Sequence, residues 1–472
     1  LGVAATYDVR MTYSDADGFA GGEPATQAVS GIELVNNGTI VLTASAIAGK
    51  SGSIDISMPY LHDINADNKY SIEYKASGTE EWTGWGSYPH APSPFTATIT
   101  GLEVNQTYDV RMTLHDSNGI IAGFPQQTVT VTLPYGDEVV CQSGCSGIGA
   151  YHSTIQAAID AASDGDVVVV LPGSYAENLT LGLNPADSVN IMLKSRDGAA
   201  SVTVTGTGAD SPVIQIFGGN SSTLQGFTIN NIHSGGDLSQ GISISNASPT
   251  IEQCIIEDNM LATYKPGGGI RANSGNPVIK RSWIRGNNGD EGSGIYCFSG
   301  TLTLINAIVS GNGKSGQGNQ GAGLHVAAAC SATIISSTFS GNRAQNGGAI
   351  NGPGSVTAKY SIFWGDEDEF YGPGELAAGY DVTYSVIQGG YAGTGNRLND
   401  PKFILPIPAA SAPTVMGDYQ LQGYTHTQDA VLDLLLQGGD TLDPLAPADD
   451  YYGDPRPSGA GYTMGADEVG VQ

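Results

Sequence analysis

The sequence predicts an all-β chain organised around a parallel β-helix, and three observations carry that expectation. One phrase recurs through the middle of the chain, as IIEDN at 255–259, WIRGN at 283–287, IVSGN at 308–312, TFSGN at 338–342 and IFWGD at 362–366, in steps of 28, 25, 30 and 24 residues. A second recurs out of phase with it, as GGIRA at 268–272, GSGIYCF at 292–298, GAGLHVA at 321–327 and GGAIN at 347–351. The composition, with 67 glycines and only 14% charged residues, suits turn-rich sheet rather than helix. Units of this period cannot bury an apolar side alone and must stack on one another. Short β-rich runs broken by Gly and Asn make each unit one coil of a parallel β-helix.

The repeat also sets the register. Ile251, Ile279, Leu304 and Ile334 occupy one position in successive coils, and Ile256, Ile284, Val309, Phe339 and Phe363 another. Both columns are expected inside, with a small-residue column of Cys254, Ser282, Ala307, Ser337 and Ser361 between them. Asn259, Asn287, Asn312 and Asn342 close each strand. Asn tolerates left-handed backbone, and its amide can bond its own main chain and the Asn of the next coil. Asp366 in the fifth coil marks the end of that ladder. By strand alternation Ile255, Trp283, Ile308, Thr338 and Ile362 face outward. Such a strip is seldom left bare, so either residues 404–472, which lack the repeat, or a partner covers it. A carbohydrate strand stacking on Trp283 is the functional form of this expectation and makes Trp283, Ile255 and Ile308 candidate binding residues.

Upstream, TYDVRMTYSDADGFAGGEPAT at 6–26 returns as TYDVRMTLHDSNGIIAGFPQQT at 107–128, an offset of 101 residues. A repeat of that length with alternating strands predicts a β-sandwich. The expected domains are the last strands of an upstream module at 1–29, a β-sandwich at 30–134, and the β-helix with its closing segment at 135–472. At the junction Cys141 and Cys145 stand four apart, as a local disulfide or as two thiols, with the disulfide favoured for an extracytoplasmic setting. Cys254, Cys297 and Cys330 leave at least one thiol unpaired. Ser153 with Gln156 reads as a capping box, and Ile155, Ala158, Ile159 and Ala162 as an apolar stripe. A helix there would cover the open first coil.

The segment GLEVNQTYDVRMT at 101–113 resembles the fibronectin type III family, in which a Leu six residues before a Tyr marks the tyrosine corner. Leu102 and Tyr108 match that spacing, and Trp82 or Trp85 would be the core Trp. YHSTIQAAIDAASDGDVVVVLPGSYAEN at 151–178 is similar to the opening region of right-handed parallel β-helix proteins of the pectate-lyase-like superfamily. FSGNRAQNGGAI at 339–350 resembles the repeats of bacterial polymorphic outer-membrane proteins. GTGNRLNDPKF at 393–403, DYQLQ at 418–422 and GDPRPSGAGYTMGADE at 453–468 are similar to the closing region of secreted bacterial β-helix proteins. These resemblances imply the right-handed fold and leave chemistry open, because the superfamily hosts lyases, hydrolases and non-enzymes.

Composition narrows the function. The net charge is −28 with 18 basic residues, which repels nucleic acid and anionic membrane surfaces. No run of 18 apolar residues exists to span a membrane. The chain begins at Leu1 and reads as a piece of a longer precursor. Neither a neighbouring Asp pair with GHG and RIK nor a Cys/His cluster at zinc spacing occurs. Arg271, Lys280, Arg281 and Arg285 are the basic groups on the coils, and Glu252 and Glu257 one coil back turn the last three into cross-coil ion pairs. Asp63, Asn65 and Asp67 alternate as the first ligands of a calcium loop do, without its Gly and closing Glu, so a β-turn competes with calcium there. A solvated turn likewise competes with calcium at 366–369. The expected function is a non-catalytic extracellular or cell-surface protein of bacterial secreted type, structural or adhesive. It would associate with itself, with other surface proteins or with polysaccharide. A polysaccharide lyase or glycoside hydrolase, and a subunit of a surface filament, are the alternatives.

Overall fold

Three short strands, two corners and one longer loop make up each coil. The computed structural model describes residues 6–12, 26–33, 39–48, 52–61, 66–117, 119–143, 145, 151–182, 189–208, 210–231, 240–261, 266–313, 320–367, 370–371, 380–422, 447–456 and 464–467. The chain divides into two units, Leu1–Gly136 and Asp137–Gln472. The boundary lies two residues beyond the expected 134/135.

In the first unit, Ser45–Ala48, Ile54–Met58 and Phe95–Ile99 form a three-stranded sheet. Gln126–Thr132, Thr107–His115, Lys69–Ala76 and Thr83–Tyr88 form a four-stranded one. Alternate residues of both sheets, among them Ile54, Ile56, Ile72, Val110 and Met112, meet in one core. This is the sandwich that period-two patterning predicts. The Tyr108 hydroxyl accepts from the Glu103 amide at 2.9 Å, and Leu102 is buried beside it. Trp85 packs partly against the core, whereas Trp82 lies under the Arg111 guanidinium at 4.1 Å. The sequence repeat is a repeated hairpin: Tyr7 faces Ile32 as Tyr108 faces Val131. The second strand, Thr26–Glu33, runs past the expected boundary at residue 29.

The second unit is a right-handed parallel β-helix. Its middle column is a nine-stranded parallel sheet from Gly173–Ala176 to Val386–Ile387. The flanking columns join through two long strands, Ile295–Ile305 and Leu324–Ile335, each of which ends one coil and begins the next. The inward columns stack as predicted. Ile251 pairs with Ile279, then Leu304, then Ile334; Ile256 is followed by Ile284, Val309, Phe339 and Phe363. These side chains lie fully inside. In the small column, the hydroxyls of Ser282, Ser337 and Ser361 each accept from the main-chain N–H one coil back, at Cys254, Ala307 and Ser337.

The Asn ladder forms, with one correction. Asn287 Oδ1 accepts from both the main-chain N–H and the Nδ2 of Asn259, and Asn312 and Asn342 repeat this with their predecessors. Asp366 accepts the same pair from Asn342, at 2.6 and 2.7 Å, and ends the ladder. The left-handed residue is the one before each Asn: Asp258, Gly286, Gly311 and Gly341. The Asn itself needs ordinary backbone because its amide reaches inward to main-chain oxygens such as Ile256 O and Ile284 O. The second phrase exists to accommodate this ladder. A Cβ at Gly269 would stand 2.9 Å from Asn287 Nδ2, and one at Gly294 3.1 Å from Asn312 Nδ2. Where Asn gives way to Asp366, the matching glycine becomes Ala349.

Helix Ile155–Ala161 packs Ile155, Ala158 and Ala162 into the same core as Val140, Val168 and Val170. Its cap is Thr154, whose hydroxyl accepts from Ala157 N, rather than Ser153. The Glu177 carboxylate takes two more N–H groups, from Ile155 and Gln156. Gln156 is thereby freed to bond both main-chain groups of Thr180, so it prolongs the first coil's edge instead of closing a capping box.

Candidate functional site

The outward strip stacks in register, from Ile255 to Trp283, Ile308, Thr338 and Ile362. It is not a free surface. Phe403, Tyr419, Leu421, Met464 and Ala466 lie over Ile308, Ile362 and Val386, with Trp283, Trp364, Tyr384 and Tyr451 at the margin. Trp283 meets Tyr419 and Tyr451 edge-on at 6.1 and 6.4 Å, and its Nε1 donates to Ser310 Oγ at 2.7 Å. Ile308 is fully buried and Ile255 half-buried. Polar ties fix this strap: Thr414 N to Gly311 O, Gly465 N to Tyr360 O, and Ala466 N to Thr338 Oγ1. A Cβ on Gly311, at φ 60°, would fall 2.3 Å from Thr414 O, which accounts for glycine before the ladder Asn. Stacking of a carbohydrate on Trp283 is therefore corrected to self-covering.

The basic groups pair across coils. Lys280 and Arg281 both reach Glu252, Arg281 also reaches Asp449 of the strap, and Arg285 meets Glu257 at 2.7 Å. Within the strap, Asp450, Arg456 and Asp467 are each buried. Burial raises the Asp467 carboxyl to about 7, with Asp450 adding to the shift and the Leu421 N–H and Arg456 opposing it.

Asp63 and Asn65 of the expected calcium loop lie outside the described residues. Asp67 accepts from the Ser117 hydroxyl. Among the described residues no group of three or more His, Cys, Asp or Glu could hold a metal ion. Asp366 serves as the ladder's last acceptor and Glu367 pairs with Arg343 at 3.4 Å. Cys141 and Cys145 are bonded, with Cα atoms 5.9 Å apart. A second bond, Cys297–Cys330, links adjacent coils, and Cys254 is the free thiol, pushed up to about 12 by burial.

A different face collects unused chemistry. In the third column, Ser243, Arg271, Tyr296, His325 and Asn351 follow one another on the outward position of successive coils. The Tyr296 and His325 rings stack at 5.3 Å and 18°. Phe298 continues the stack at 6.4 Å and 24° from Tyr296, and is 51% exposed where Tyr296 and His325 are 8% and 7% exposed. His325 Nδ1 is buried without a hydrogen-bond partner among the described residues. Burial lowers the imidazole to about 4, so it is neutral at pH 7. Burial likewise raises Tyr296, with the Glu291 charge adding to the shift and Arg271 opposing it. Arg271 Nε donates to Asn273 Oδ1 at 3.0 Å, and among the described residues Arg271 joins no cross-coil ion pair. The glycines of the second phrase dominate its pattern and hide this column in the sequence. A signal exists nonetheless: the residue after the inward Ile or Leu reads Arg271, Tyr296, His325, Asn351 down the coils.

No helix among the described residues is long and apolar enough to cross a membrane. No curated protein matches the chain. A family model described as the right handed beta helix region matches residues 191–339, the coils that carry most of the ladder and of the Arg271–Asn351 column.

Proposed function

We propose that this chain is a non-catalytic extracellular surface protein, of bacterial secreted type, whose β-helix is a stiff rod that binds polysaccharide. The stacked Phe298–Tyr296–His325 rings, flanked by Arg271 and Asn351, are the observation that carries this reading. Sugar sites combine an aromatic platform with a few polar groups that fix orientation. The three-on-four sandwich and the Tyr108 hydroxyl tied to Glu103 support the fibronectin type III resemblance, and such modules serve as spacers. Incubation with a polysaccharide panel, with and without calcium, tests the proposal. Retention of the protein on the polymer without unsaturated product or new reducing ends is expected.

A lyase is the second reading, favoured by His325 being neutral beside Tyr296, with Arg271 one coil beyond Tyr296. Proton abstraction beside a sugar carboxylate needs a neutral base, a proton donor and a charge neutraliser, and those three groups supply the types. Appearance of unsaturated ends in the same assay would replace the first reading with this one.

A further inference from the structure

Phe298 stands where the register of its strand slips. The pairing of Ile295–Ile305 with Leu324–Ile335 is irregular between Cys297 and Ser299: the next coil's strand carries the extra residue, so two small residues, Ala327 and Ala328, lie opposite Phe298, which keeps the outward position that alternates with Cys297. Both neighbours are fastened. Cys297 turns inward and is bonded to Cys330 of the next coil, and the Ser299 hydroxyl donates to Asn273 O of the previous one. An exposed Phe on an unconstrained loop would lose much of its binding contribution to ordering; one held from both sides does not. Tyr296 stacks against the ring, and His325 stacks on Tyr296 in turn.

The charge around the platform selects the ligand. Along the outward column only Arg271 is cationic, and its Nε is engaged by Asn273. His325 is neutral and Glu291 lies near enough to act on Tyr296. The whole chain carries 46 acidic against 18 basic residues. A polyanion would meet long-range repulsion, with Arg271 the one cation among the described residues of that column to offset it. The C–H face of an uncharged sugar ring asks for a flat apolar surface, and its hydroxyls for neutral donors and acceptors.

We infer that the Phe298 platform, bared opposite the bulge and held beside the Cys297–Cys330 bond, is a binding site for an uncharged polysaccharide. This rests on the polysaccharide-binding reading above and narrows it to one ligand class. Affinity electrophoresis of the full chain through gels holding a soluble β-glucan, a galactomannan or polygalacturonate, at low and high salt, tests it. Expected is retardation by a neutral polymer that salt leaves unchanged. Phe298→Ala should weaken it about tenfold or more, Phe298→Tyr should retain it, and thermal unfolding should confirm that both variants stay folded. Retardation by polygalacturonate alone, abolished by salt, would overturn the ligand class and leave polysaccharide binding standing. Neutral-polymer binding indifferent to Phe298→Ala would overturn the site. Retardation by none of the three would count against the broader reading as well.

Discussion

Asn312 shows how much rests on one amide. It accepts from the main chain and side chain of Asn287 and donates to Ile284 O and to Asn342. Asn312→Ala leaves these groups buried and unmatched, so a loss of roughly 2–4 kcal/mol is expected in urea unfolding. The column is legible in the sequence because identical side chains recur at one repeat position. The left-handed residue is not, because either member of a Gly-Asn pair can adopt that backbone and only the inward reach of the amide decides. His325 gives a second prediction. Its folded pKa of about 4 lies below the ordinary 6.5, so above pH 6.5 its contribution to stability is fully present. It is lost as pH falls toward 4, because the unfolded chain takes up the proton first. Wild type should lose up to roughly 3 kcal/mol over that interval, and His325→Phe should flatten the dependence.

At the scale of elements, the strap governs the exterior strip. Trp283→Ala removes a ring held between Tyr419 and Tyr451 and should cost about 2–4 kcal/mol. Faster amide exchange over Asp418–Leu421, with polysaccharide retention unchanged, is the matching signature. Asp467 titrates in the opposite sense to His325. Its carboxyl is raised from 3.8 to about 7 by burial beside Asp450, so the folded state holds the proton that the unfolded chain releases. Stability from this group therefore declines as pH rises from about 4 to 7. Asp467→Asn, which keeps an acceptor for Leu421 N, should stabilise the protein at alkaline pH; an unchanged midpoint there would contradict the assignment. That something covers the strip is legible from five stacked outward positions, four of them apolar. The covering segment, 404–472, is legible too, from its lack of the repeat; the individual contacts are not, because it meets the coils through scattered residues such as Met464 and Tyr419. The helix cap falls on Thr154 rather than Ser153 for a similar reason, since Glu177, distant in sequence, supplies the carboxylate.

For the whole molecule, the nine strands of the middle column span about 38 Å at ordinary strand spacing. Each coil's amides are satisfied by the next, so the stack should behave as a cooperative series of nearest neighbours. The long repeat makes this architecture readable from the amino-acid order alone, whereas the Arg271–Asn351 column escapes because its residues differ from coil to coil. Amide hydrogen exchange along the middle column tests the stacking most directly. Val202–Thr205 through Ile362–Phe363 should exchange as one slow block, slowest at Trp283–Arg285 and Ile308–Ser310. Rapid exchange at either of those two strands while their neighbours stay protected would mean that they are not adjacent layers of one rod.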